Sequence, residues 1–198
     1  MQKIVLASGN KGKLRELQQR LGHIADFVPQ SDFDIDTPEE TGKSFLENAL
    51  LKARYVSAKT GLPALADDSG LSVDYLDGAP GIYSARFAGP DAEDGDNNLK
   101  LLAELSDVAA DSRGAAFHCT LVLLYPELES SPVICEGIWR GQILCQPKGE
   151  NGFGYDPLFQ PRGLNCSSAE LEPHEKNRIS HRGKAMSLLV SRLCDDKA

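Results

Sequence analysis

The chain has 198 residues, 41% hydrophobic and 25% charged, which is ordinary for a globular protein with one sizeable core. A formal net charge of −8 excludes broad electrostatic attraction to nucleic acid or to an anionic membrane. A phosphorylated ligand must therefore be held locally, by a few cations and a metal. Cys119, Cys135, Cys145, Cys166 and Cys194 include no Cys-x-x-Cys pair, which argues against structural zinc or a disulfide framework and for a reducing compartment. Met1-Gln2-Lys3 runs directly into a strand, leaving no room for a signal peptide, and no apolar run approaches membrane-spanning length. A cytoplasmic location is expected.

Ile4-Val5-Leu6-Ala7 reads as a buried strand, Ser8 to Lys13 as a Gly-containing loop, and Leu14, Leu17 and Leu21 as one face of a helix. Strand, loop and helix in that order aim backbone N–H groups and a positive dipole end at an anion. This is not a Walker A loop: Ala7 replaces the first glycine, and Leu14 stands where Ser or Thr should hold Mg²⁺. Any phosphate here is gripped by Ser8, Asn10, Lys13 and backbone. Phe27-Val28 is a second strand, and Ser31 to Gly42 is an acidic loop ending in Glu39-Glu40-Thr41-Gly42, most simply a solvated surface. The next helix opens on a Ser44-x-x-Glu47 capping box, buries Phe45, Ala49, Ala53 and Val56, and ends at Gly61 and Pro63.

The apolar run Leu62 to Ala66 then stops on Asp67-Asp68, with Ser69-Gly70 following and Leu71-Ser72-Val73 extended again. Two readings are open: a plain turn, since Asp, Ser and Gly all form turns, or a strand end presenting paired carboxylates to a hard cation. Glu39-Glu40 lies one helix upstream, so both acidic pairs are free to meet at one end of a sheet. Asp77 to Gly81 is a turn cluster, Arg86 a secondary phosphate candidate, and Asp91 to Asp96 a charged loop before a helix with Leu99, Leu102 and Leu105 on its apolar face. Ala115 to Tyr125 and Val133 to Leu144 form a long hairpin in which Tyr125 and Trp139 pack and His118 is hydrogen-bonded or packed.

Gly149 to Pro157 is too glycine-rich for a buried strand. Phe153 offers a face for base stacking, typically ~1–3 kcal/mol per base, and Asp156 an acceptor; the alternative is a structural Ω-loop with Phe153 packed inward. Pro173 suits the first position of a helix, and Ser180 caps the last one, whose buried side is Ala185, Leu188, Leu189 and Leu193. His181 and Arg182 fall in its first turn, where cations are disfavoured by the dipole, which suggests that they face a ligand.

Six motifs now stand in order: Ser8-Gly9-Asn10-x-x-Lys13, Glu39-Glu40-Thr41-Gly42, Ala66-Asp67-Asp68-Ser69-Gly70, Pro80 to Arg86, Gly152 to Pro157, and Ser180-His181-Arg182. Together they closely resemble the inosine triphosphate pyrophosphatase family, specifically its bacterial XTP/dITP diphosphatases. The likeness runs from Lys3 to about Leu193, with Ser8 where Thr is frequent in that family.

The resemblance implies an α/β fold with a long central mixed twisted sheet flanked by helices, two lobes around a cleft, and residues 1–198 as a single domain. It implies Mg²⁺-dependent hydrolysis of non-standard purine nucleoside triphosphates (ITP, dITP, XTP) to monophosphate and pyrophosphate, by a homodimer. Asp68 would be the catalytic acceptor and a metal ligand, supported by Glu39 or Glu40, with Asp67 as a holding residue. Ser8, Gly9, Asn10, Lys11, Gly12, Lys13 and Ser69 would hold phosphates. Phe153, Gly154, Tyr155, Asp156, Lys176, His181 and Arg182 would surround the nucleoside. Two rivals are the septum-formation-inhibitor type of nucleotide pyrophosphatase, with another base preference, and a non-catalytic nucleotide sensor, which should have lost one of the acids.

Overall fold

A computed structural model of the chain describes residues 2–128 and 130–195. The side chains of Lys11 and Cys194, on which sequence expectations rested, lie outside the described part. Among the described residues, β1 (Lys3–Ala7), β2 (Asp26–Pro29), β3 (Ala64–Val73), β4 (Gly114–Leu124), β5 (Val133–Ile143) and β6 (Phe159–Pro161) follow the order β2-β1-β3-β4-β5-β6. β1 pairs in parallel with β2 and β3, and β5 pairs antiparallel with β6. The helices are α1 (Lys11–Leu21), α2 (Phe45–Thr60), α3 (Asp94–Glu104), α4 (Pro173–Ile179) and α5 (His181–Asp195). The mixed α/β architecture expected from the sequence is therefore present.

The chain divides into two compact units, the first comprising Met1–Asp68, Cys119–Gly137 and Lys184–Ala198, the second Ser69–His118 and Ile138–Gly183. In the first unit β1, the start of β3 and the end of β4 are buried on both faces, which is why they read as continuous apolar runs. Ile4, Leu6, Leu65, Leu121 and Leu123 pack with Leu17 and Leu21 of α1 and with Ala185, Met186 and Leu189 of α5. The alternate residues, Val5, Ala7, Ala64, Ala66, Val122 and Leu124, pack with Ala49, Ala53 and Val56 of α2. The period of two along each strand sends neighbours to opposite helical layers. The second unit has its own core, in which Leu71, Val73, Phe117, Trp139, Tyr155 and Phe159 pack with Leu101 and Leu105 of α3.

α2 carries the expected caps. The Ser44 hydroxyl accepts from the Glu47 N–H at 3.1 Å, and Gly61 closes the helix at φ 66°. The capping box is only half formed, because the Glu47 carboxylate accepts from the Lys43 N–H rather than from Ser44.

Four local expectations are corrected. Asp67 to Gly70 is neither a turn nor a strand end: β3 runs through it unbroken to Val73. Helix α1 begins at Lys11, inside the expected loop, and α3 begins at Asp94, inside the expected charged stretch. Two helix faces are rotated: Leu99 and Leu188 are exposed, while Leu101 and Met186 are buried in their place. Runs of consecutive leucines leave the helical phase ambiguous, and the packing surface decides it.

Candidate active site

In the first unit the alternation of β3 separates the two acids. Ala64, Ala66 and Asp68 share the face on which α2 packs, and Asp68 meets Lys52 of that helix, its Oδ1 accepting from Lys52 Nζ at 2.6 Å. Lys52 also donates to Glu40 Oε1 at 3.0 Å and to the Asp67 carbonyl at 2.9 Å. Asp67 shares the opposite face with Leu65. Its Oδ1 lies 2.7 Å from Lys13 Nζ, and its Oδ2 accepts from the Cys119 thiol at 3.4 Å. The Asp67 side chain is fully buried, and it ties the first turn of α1 to the centre of the sheet.

Burial pushes the Asp68 carboxyl above the usual Asp range, against the lowering pull of Lys52 and Lys13 and with a further push from Glu40. Burial by itself would lower the Lys52 ammonium, but Asp68 and Glu40 more than offset it, and its pKa is raised. Two carboxylates thus share one buried cation, an arrangement stable only while positive charge stands between them.

Glu40 reaches this cluster, with its side chain 23% exposed, whereas Glu39 is exposed. The loop bearing Glu40 is fixed to α2 by the Gly42 N–H, which donates to the side-chain Oδ1 of Asn48 at 2.8 Å. A Cβ at Gly42 would lie 2.6 Å from Asn48 Oδ1 and 2.8 Å from Glu47 Cβ, so this close approach requires glycine. Among the described residues, no group of three or more His, Cys, Asp or Glu side chains is placed to hold a metal.

The Ser8–Lys13 segment is organised by its own residues. Asn10 caps α1, its Oδ1 accepting from the Gly12 and Lys13 N–H groups at 2.9 and 3.0 Å, and the Asn10 N–H donates to Ser8 Oγ at 3.2 Å. The side chains of Ser8 and Asn10 therefore shape the turn, and Gly9 lets it pass beside Thr37, whose hydroxyl would lie 3.4 Å from an added Cβ.

In the second unit, Asp156 is the hub. Its Oδ2 accepts from the Phe153 N–H at 2.8 Å and from Lys176 Nζ at 2.6 Å, while Oδ1 accepts from the Ser168 hydroxyl at 2.6 Å. The expected free acceptor is thus turned inward to hold the glycine loop. Phe153 is half-buried beneath two cations, 5.0 Å from Lys176 Nζ and 5.6 Å from Arg182 Cζ, measured to its ring centroid.

Arg182 is fully buried and donates to Ser69 Oγ at 3.0 Å. Ser69, expected with the phosphates, here joins the Arg182 group. His181 stacks on Phe117 at 4.8 Å between centroids and 12° between planes, with Trp139 at 6.5 Å. Ser180 Oγ accepts from the Gly183 N–H at 3.1 Å, the cap that places His181 and Arg182 at the start of α5.

Gly154 is clasped from α3, its N–H donating to Asp94 at 2.6 Å and its carbonyl accepting from Asn98 at 2.9 Å. The buried Tyr155 hydroxyl donates to the Ser84 carbonyl at 2.9 Å, and burial together with Asp94 pushes its pKa up. His118 is hydrogen-bonded, as expected, with its Nε2 2.8 Å from the Ser72 hydroxyl.

Replacing Asp156 by Asn leaves the Lys176 ammonium without its charge partner, in a pair whose side chains are only 6% and 3% exposed. Removing one partner of a buried pair costs roughly 3–5 kcal/mol. Urea unfolding is expected to show a loss of that size; a loss below about 1 kcal/mol, the scale of an exposed pair, would contradict the assignment.

Several residues of this arrangement escape a sequence reading focused on acids and glycines, among them Lys52, Cys119, Asp94, Asn98 and Ser168. Lys52 had a usable signal. It falls in the apolar stripe of α2 with Ala49, Ala53 and Val56 at spacings of three and four, where a lysine must have a buried partner. Cys119 and Asp94 gave none.

The model of the Ham1 family matches residues 4–192, and the chain belongs to that family. It is 55% identical over 190 residues to the dITP/XTP pyrophosphatase of Vibrio cholerae, covering 96% of this chain and 95% of that one. It is 57% identical over 190 residues to the dITP/XTP pyrophosphatase of Pseudomonas syringae pv. tomato, covering 96% of each. The solved structure of a HAM1 protein from Coxiella burnetii superposes with a TM-score of 0.91 at 46% identity, covering 98% of this chain and 100% of that one.

Proposed function

We propose that residues 1–198 act as one catalytic domain that hydrolyses non-standard purine nucleoside triphosphates (ITP, dITP and XTP) to the monophosphate and pyrophosphate. The observation that carries this reading is the convergence of Asp68 and Glu40 on the buried Lys52. Relatives more than half identical to this chain are named dITP/XTP pyrophosphatases, which supports the substrate class.

Water attacks the α-phosphorus: a new P–O bond forms, the bond to the bridging oxygen breaks, and pyrophosphate leaves. Asp68 orients the water and accepts its proton. Lys13 and Lys52 place positive charge where negative charge grows on the phosphate oxygens. The donor set fits a divalent cation: two carboxylate oxygens already gather around a positive charge, and Mg²⁺ typically takes one or two carboxylates and completes its shell with phosphates and water. That habit fits the absence of a three-ligand protein cage among the described residues. Asp68 and Glu40 would hold the ion, and Glu39 would remain solvated. When bound, the ion supplies charge neutralisation on the phosphates.

Phe153, held by the Asp156 hub and the Asp94–Asn98 clasp, gives the base a stacking face, and His181 and Arg182 give hydrogen-bond donors. The keto oxygen of hypoxanthine and xanthine accepts from such donors, whereas the amino group of adenine does not. Ser69 is assigned to fixing Arg182, as well as to a phosphate. The reading includes a homodimer, to be checked by light scattering, and a cytoplasmic location, consistent with Cys119, Cys135, Cys145 and Cys166 forming no disulfide. No described helix is long and apolar enough to cross a membrane.

One assay tests the whole: purified protein with ITP, XTP, dITP, GTP and ATP, with and without Mg²⁺, measuring pyrophosphate and orthophosphate separately. The expected result is pyrophosphate from the first three substrates and activity that EDTA abolishes. Orthophosphate as the primary product would refute cleavage between the α and β phosphates.

A further inference from the structure

The second unit contains a polar groove of about 590 Å³, lined by Arg140, Gln142, Gln160, Arg162, Asn165 and Asp74 among others. None of these residues takes part in the chemistry proposed above. In the β5–β6 ladder Gly141 pairs with Pro161 and Gln142 with Gln160, and the Arg162 N–H donates to the Arg140 carbonyl at 2.9 Å. Arg162 is the first residue after β6, and this bond carries the register on by one position, setting Arg162 opposite Arg140. Side chains two apart on a strand share a face, so the arginine pair and the Gln142–Gln160 pair form two rungs on one side of the ladder. The intervening Gly141 and Pro161 belong to the opposite side, where Phe159 is buried.

Like charges directly opposite each other destabilise a strand pair. Among the described residues, neither guanidinium has an ion-pair or hydrogen-bond partner. The neighbouring rung is neutral and satisfied, since the Gln142 amide donates to Gln160 Oε1 at 3.3 Å and the Gln160 amide donates to the Leu164 carbonyl at 2.7 Å. Both arginines are exposed and line the groove, and planar guanidinium donor edges match the oxygens of a phosphate. Asp74, on the same groove, repels a second anionic group and accepts from hydroxyl donors. The volume is within the ~300–1,000 Å³ typical of small-molecule sites, and larger than one phosphate requires.

We infer that this groove binds a phosphate monoester with a hydroxylated body, the class of the sugar phosphates, with its phosphate between Arg140 and Arg162 and its hydroxyls towards Asp74. Ribose 5-phosphate, ribose and inorganic phosphate serve as probes for the intact protein, by calorimetry and by amide chemical shifts. Ribose 5-phosphate should bind, shift the amides of Gly141, Gly163 and Asn165, and raise the melting temperature.

The R140Q/R162Q double variant should bind at least tenfold more weakly, with ITP turnover unchanged and a ligand-free melting temperature no lower than that of the wild type; R140Q alone serves if the double variant folds poorly. Equal affinity of wild type and variant for ribose 5-phosphate would overturn the site. Inorganic phosphate binding as tightly as ribose 5-phosphate, or ribose binding as tightly, would overturn the ligand class. Because ITP turnover is read separately, failure here is distinguishable from failure of the catalytic reading.

Discussion

Replacing Asp68 by Asn is expected to lower ITP turnover roughly 10²–10⁴-fold, the range for loss of a positioned proton acceptor, with the fold retained. The geometry makes the substitution clean. Asparagine keeps the shape and one carbonyl oxygen, so Lys52 retains an acceptor in place of Asp68 Oδ1 as well as the Asp67 carbonyl and Glu40. Lys52 also keeps the Glu40 carboxylate as a charge partner, so thermal unfolding should show little loss of stability.

Asp67→Asn should behave oppositely. It weakens the Lys13 ion pair and the Cys119 contact in a site with no solvent to compensate, and lowers stability as well as rate. Near-normal pyrophosphate release by Asp68→Asn would remove Asp68 from the reaction. Equal rate losses with equal stability losses in the two variants would mean that both acids are structural.

Arg182→Ala is expected to reduce kcat/KM for ITP roughly 10–100-fold, the equivalent of a hydrogen bond to a charged group worth about 1.5–3 kcal/mol, while ATP hydrolysis changes far less. The guanidinium is buried, close to the Phe153 ring and anchored on Ser69, so its direction is set before substrate arrives. A preset donor favours a keto acceptor and is left unpaired by an amino group. Arg182→Lys should recover little, because one ammonium cannot keep the Ser69 contact and present a planar donor edge together. Proportional losses on ITP and ATP would show that Arg182 supports the fold and does not read the base.

Much of the site was legible in advance, because its residues violate their local surroundings. Paired acids closing an apolar run, glycines in a strand-rich stretch and cations in the first turn of a helix all oppose ordinary preference. What the chain order could not show was pairing. Asp67 and Asp68 are neighbours in sequence, yet the strand sends one towards Lys13 and Cys119 and the other towards Lys52 and Glu40. Their different partners follow from the layer each faces. Asp156 likewise reads as a ligand acceptor by residue type, and becomes the centre of a loop only when Lys176 and Ser168 are brought to it.

The sequence by itself determined the order of β1 to β5 and of the main helices, the caps of α2 and α5, and the six motifs that carry the family resemblance and its α/β class, because periodicity and capping are local properties of a few consecutive residues; β6 was not legible in it. The tertiary structure alone decided that β3 runs through the acids, that Leu99 and Leu188 face outward, that Glu40 and not Glu39 reaches Lys52, and that Arg140 stands beside Arg162. Each of these depends on which distant surface a side chain meets, and burial and charge pairing across the fold outweigh the turn and helix preferences that the local sequence expresses.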